Sequence, residues 1–195
     1  MKKGLTAISI VAASFVGIAS AQTTGSEVQR NVNQQERIEQ GLKSGQLSTG
    51  EAAKLEKGEA HVQKMEANAN KDGTLTDAEK ARIQKAQNAE SRAIDRSKHN
   101  AVTGNPNSAS SQRMQADVQR NANQQKRIEQ GVQSGQLTGH ETAKLERGQA
   151  RVDRAEARAG ADGRVGPREQ KAIQARENRQ SKRIHRQKHD AQTKG

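Results

Sequence analysis

Between Asn68 and Glu79 the chain reads N-A-N-K-D-G-T-L-T-D-A-E. Oxygen-bearing side chains recur at alternate positions, Asn68, Asn70, Asp72, Thr74 and Thr76, around a glycine at Gly73, and the stretch closes on Glu79. A hard cation such as calcium takes a ring of oxygen donors, and a loop between two helices presents them at this spacing. His185 and His189 stand four apart with Asp190 beside them, a spacing that puts two imidazoles on one helical face for zinc, copper or nickel. Arg183, Arg186 and Lys188 crowd that pair with positive charge, so a solvated, cationic helix end is the favoured reading there. No catalytic arrangement is visible. With no Cys and no Tyr, the nucleophiles reduce to Ser, Thr and Lys, and no histidine stands in a triad context. The acidic pairs read as helix caps and i, i+4 surface partners, so no enzyme activity is expected.

The 68–79 stretch resembles the calcium loop of the EF-hand family. Carried over position by position, the resemblance makes Asn68, Asn70 and Asp72 side-chain ligands and Thr74 a backbone ligand. Thr76 supplies a hydroxyl or a bridging water, Glu79 is the bidentate ligand, Gly73 the sharp turn and Leu75 the aliphatic anchor. Asn68 stands where the family places Asp, and Lys71 lies inside the loop, so the expected calcium affinity is weak. A metal-free turn that only caps the next helix accounts for Asp72, Gly73 and Glu79 as well. That reading is favoured by the equivalent stretch later in the chain, where Arg158 and Gly160 replace the first two oxygen donors while Asp162, Gly163 and Glu169 remain.

The elements around these residues occur twice. Val28-Gln29-Arg30-Asn31 returns 90 residues later as Val118-Gln119-Arg120-Asn121, and the register holds without a gap to Ala101 and Ala191, with just over half of the positions identical. In the first copy Val28, Val32, Gln35, Ile38 and Leu42 fall on one face of a helix. Gly41 and Gly45 end it, and Ser48 with Glu51 forms a capping box for a second helix. There Leu55, Gly58, Val62, Met65 and Ala69 make a heptad seam, whose repeated glycine points to close approach by a neighbour. Thr76 and Glu79 start a third helix, with Ile83 and Ile94 inward. The expected fold is all-α: two tandem three-helix modules, at 26–101 and 116–191, joined by a flexible Asn-, Ser-, Gly- and Pro-containing linker at 102–115. So few large aliphatics leave each module marginally stable alone, to be completed by a ligand, a partner or self-association.

Residues 1–21 read as a cleavable export signal: Lys2 and Lys3, an apolar run, then Ala19-Ser20-Ala21. The apolar run is too short for a membrane span, and no transmembrane segment is expected after cleavage. With the Gln- and Arg-rich helices, this resembles exported proteins of Gram-negative bacteria and implies a periplasmic or secreted location. The chain carries a formal charge of +12, concentrated in the second copy. Arginine-rich helices suit phosphate and carboxylate contacts, which makes an anionic envelope polymer or other polyanion a candidate partner. Phe15 is the sole aromatic residue and lies in the signal segment, so no stacking platform for sugars or bases is available. The functional expectation is an exported, non-catalytic binding protein. It binds calcium weakly through Asn68–Glu79, or acts as a polyanion-binding or self-associating helical protein.

Overall fold

The structure, a computed structural model, describes residues 16–190, with side-chain surroundings from Thr24 onward. Residues 1–15 and 191–195, and so most of the expected signal segment, lie outside it. The fold is all-α. Helices α1 (Val16–Ser44), α2 (Thr49–Ala69) and α3 (Asp77–Lys98) form the first copy. Helices α4 (Ala109–Gln133), α5 (Gly139–Ala159) and α6 (Pro167–Lys188) form the second. A single 3-10 turn, Asn70–Asp72, follows α2. Among the described residues there is no strand, and no helix is long and apolar enough to cross a membrane.

The expected caps set these boundaries. Ser48, Thr76 and Thr138 each accept from the backbone N–H three residues on, while Glu51, Glu79 and Glu141 reach back to the cap N–H. In the turns that precede them Gly45, Gly73, Gly135 and Gly163 have positive φ, a backbone region that side chains with a Cβ disfavour. The third helix of each copy is fastened identically. Gln34 donates to the Gln87 carbonyl and Arg37 to Ser91, and Gln124 and Arg127 repeat both contacts on Glu177 and Ser181.

The copies differ from the expected pair of modules on a flexible linker, because their most extensive packing is across copies, α2 on α5 and α1 on α4. Val118 of the second copy joins Ile38, Leu42, Leu47, Leu55 and Ile94 in one apolar cluster. Val28 of the first joins Ile128, Val132, Leu137, Leu145 and Ile184 in a second, and Ala69, Leu75 and Ile83 form a third within the first copy. The thin core of each copy is thus completed by the other copy. The segment expected as linker is structured too: α4 already begins at Ala109, and the Gly104 N–H donates to the Gly45 carbonyl at 2.8 Å. A Cβ at Gly104 would collide with the Leu47 carbonyl, so Gly104→Ala is expected to destabilise by about 1–3 kcal/mol through overpacking. Urea denaturation of the two chains checks this, and an unchanged midpoint would mean the segment is not docked.

Candidate metal centre

The EF-hand-like loop is held by bonds of its own. Asn68 is exposed at the end of α2. Asn70 turns inward, accepting from the Thr24 hydroxyl at 3.1 Å and donating to the Glu66 carbonyl at 3.1 Å. Asp72 accepts from the Thr74 N–H at 3.2 Å. Glu79 accepts from the Thr76 N–H at 2.9 Å and hydroxyl at 2.6 Å, bonds that hold its carboxyl below the usual carboxylate range. Across the copies, His140 Nδ1 lies 3.0 Å from the Lys71 carbonyl, and the start of α5 at Gly139 packs against Gly73. Asp72, Thr74, Thr76 and Glu79 therefore share one turn, Asn70 faces the interior and Asn68 faces away. Calcium at this loop requires Asn70 and Glu79 to exchange their present partners. His185 and His189 lie exposed at the end of α6, with His189 Nδ1 2.7 Å from the His185 carbonyl.

The larger concentration of chemistry is inside. Buried among the helices is a layer of carboxylates and carboxamides, carried by all six of them. Glu56, Glu59, Gln63 and Glu66 of α2 are buried, as are Glu146, Gln149, Asp153 and Glu156 of α5. Asn31 and Gln35 of α1, with Asn121 and Gln125 of α4, supply the amide donors. Gln35 donates to Glu56 Oε2 at 3.0 Å, and Gln125 to Glu146 Oε2 at 3.2 Å. Asn31 donates to Glu66 Oε2 at 2.7 Å. Asn121 donates to Glu156 Oε2 at 2.7 Å and to Asp153 Oδ1 at 3.1 Å. Glu56, Glu146, Asp153 and Glu156 are each thus oriented through one oxygen, whereas Glu66 also accepts from Gln87 at Oε1, at 2.9 Å. Glu56 Oε1, Asp153 Oδ2 and Glu156 Oε1 have no hydrogen-bond partner, and neither oxygen of Glu59 has one. Glu56, Asp153 and Glu156 each bring an oxygen within 4.8 Å of the others.

Burial pushes these groups toward the neutral acid, since transfer of a charge out of water disfavours the ionised form. It lifts Glu56 to about 8 and, with Asp117 nearby, Glu177 to about 8. Glu90 and Asp117 stand at about 7 for the same reason. Glu59, Asp153 and Glu156 are raised well above the usual range, by burial first and then by neighbouring carboxylates: Glu90 and Glu56 on Glu59, and Glu56 on both Asp153 and Glu156. A buried, oxygen-rich set of this kind can hold protons, or can exchange them for a hard cation.

These interior acids were not legible as a site, because i, i+4 glutamates and lysines on a helix ordinarily describe a solvated face. The structure corrects that reading for Glu56, Glu59, Glu66, Glu146 and Glu156. A signal was present nonetheless. Asn31, Gln35, Glu56 and Glu66 recur unchanged in the second copy, whereas exposed positions such as His61 and Asn68 change to arginine. The repeated glycine of the seam has a related purpose: a Cβ at Gly58 would meet the Glu90 carboxylate, and one at Gly148 the Gln180 amide. These glycines make room for a polar side chain from the third helix.

Comparison with known families, with curated proteins and with solved structures finds no match to this chain.

Proposed function

We propose that this chain is a non-catalytic binding protein that holds a hard cation in the carboxylate layer between its two copies. The observation that carries this reading is the set Glu56, Asp153 and Glu156, wholly buried and mutually within 4.8 Å, each with one oxygen fixed by an amide and another left open. Calcium at Asn68–Glu79 is the alternative location for the same activity, and one pair of variants separates the two. Melting of residues 22–195 with calcium and then with chelator is expected to show a calcium-dependent rise. That rise persists in Glu79→Gln and is lost in Glu56→Gln; the reverse pattern would move the site to the loop.

A second reading, polyanion binding in the envelope, is favoured by the surface. More than half of the 22 acidic residues are buried, while among the described residues no Lys or Arg is, so the exterior is more basic than the composition implies. The exposed Arg151 and Arg158 of α5 belong to that surface. Replacing both with Ser is expected to lower the salt concentration at which the protein leaves a heparin column; elution at unchanged salt would remove this surface from consideration.

A further inference from the structure

The two copies repeat every position of the layer, so the cation site has a counterpart. Glu56, Asp153 and Glu156 correspond, 90 residues on or back, to Glu146, Gln63 and Glu66. Four buried positions carry an acid in one copy and glutamine in the other: Glu59 and Gln149, Gln63 and Asp153, Gln87 and Glu177, Glu90 and Gln180. Two of these acids come from each copy, yet all four gather on the Glu56–Glu156 side. Glu59 feels the charges of Glu90, Glu56 and Asp153. Glu156 feels those of Glu56, Asp153, Glu177 and Asp117. On the opposite side Gln87 donates to Glu66 Oε1 at 2.9 Å and Gln180 to the Leu145 carbonyl at 2.9 Å, so amides occupy the places where the first side has carboxylates.

Resting on the cation-binding reading above, we propose that divergence of the copies has concentrated the acids into one high-charge site, centred on Glu56, Asp153 and Glu156 with Glu59 beside them. This site takes a single trivalent hard cation in preference to calcium, and the glutamine-bearing half is its inactive counterpart. Glu59 supplies the observation beyond mere clustering: it is wholly buried, neither of its oxygens is hydrogen-bonded, and it lies near enough to Glu90, Glu56 and Asp153 to feel their charges. The compensating cations are few. Arg120 Nε lies 3.3 Å from Glu177 Oε2, and Arg96 acts on Glu90. Seven carboxylates (Glu56, Glu59, Glu90, Asp117, Asp153, Glu156 and Glu177) therefore face two guanidinium groups. In a low-dielectric interior the attraction for an ion grows with its charge, and an all-oxygen donor set favours hard ions. Magnesium, which demands near-ideal octahedral geometry and keeps several of its waters, is disfavoured by so crowded a set of buried side-chain oxygens.

Calorimetric titration of the whole chain at neutral pH with La3+ and, separately, Ca2+ tests this. The expected result is one La3+ per chain, bound at least tenfold more tightly than Ca2+. Asp153→Asn, which keeps the side-chain shape, and Glu56→Gln are each expected to weaken La3+ at least tenfold, with circular dichroism confirming the helical fold. Gln63→Asp, which completes the counterpart triad with Glu146 and Glu66, is expected to add a second, weaker La3+. Two equivalent ions on the unaltered chain, or equal affinity for both cations, would overturn the one-site inference while leaving cation binding intact. Binding of neither ion, or La3+ affinity unchanged in both Asp153→Asn and Glu56→Gln, would overturn the interior site as well.

Discussion

The melting temperature of the cation-free protein is expected to fall as pH rises from 5 to 8, the direction opposite to that of a protein stabilised by salt-bridged carboxylates. The sign follows from where the protons sit. Glu56, Glu177, Glu90 and Asp117 have folded-state values of about 7–8, against ordinary values of 4.5 for glutamate and 3.8 for aspartate. The folded chain therefore binds protons that the unfolded chain releases. The stability this confers is fully present below the unfolded values and is lost as pH passes through 7–8. For the wholly buried Glu56, a rise from 4.5 to about 8 corresponds to on the order of 4–5 kcal/mol. For a chain of this size a loss of that order lowers the melting temperature by roughly 10–20 °C. Thermal melts in chelator at pH 5 and pH 8 measure it. Equal or higher melting at pH 8 would show that the interior acids are ionised and compensated in the folded state.

Asp153→Asn combined with Glu156→Gln is expected to raise the melting temperature at pH 8 and to remove the response to cations. Both carboxylates lean on the same Asn121 amide, at 3.1 and 2.7 Å, and an amide oxygen can still accept those bonds. What the substitutions remove is the cost of ionising two groups in an environment that disfavours charge, an exchange that stabilises proteins by about 1–4 kcal/mol where buried charges have been replaced. A purely structural layer would gain the same stability, so the lost cation response is the specific part of the result. Melts at pH 8 with and without added cation measure both effects. Lower stability without any change in the cation response would place the binding elsewhere.

Helices, caps and the duplication were readable because each rests on local rules. Ser48 with Glu51 and Thr76 with Glu79 form the boxes that their spacing predicts, and Leu55, Val62 and Ala69 pack inward as the seam requires. The relation of the copies was not readable from periodicity, which says which face is apolar but not what covers it. Val28 fits the first-copy helix pattern and yet packs among residues of the second. The site was hidden for a related reason. Helix α2 keeps an exposed stripe of Lys54, Lys57, His61, Lys64 and Asn68, but its glutamates are buried against the equivalent side of α5, and alternating lysines and glutamates do not show which charged positions face solvent. Asn70 and Glu79 illustrate the converse. Their spacing suits a calcium loop, but the same side chains also satisfy Thr24 and the cap at Thr76, which the linear pattern cannot distinguish.

A cation that enters a layer of protonated acids must displace protons from it, and those protons can be counted. Calorimetric titration with La3+ at pH 6.5 in two buffers of different ionisation enthalpy gives the number of protons released per ion bound. One or more protons per cation is the predicted result, because Glu56 and its neighbours must ionise to become ligands. Binding with no proton release would contradict it, and would point to carboxylates already ionised, such as Glu79 in the exposed loop.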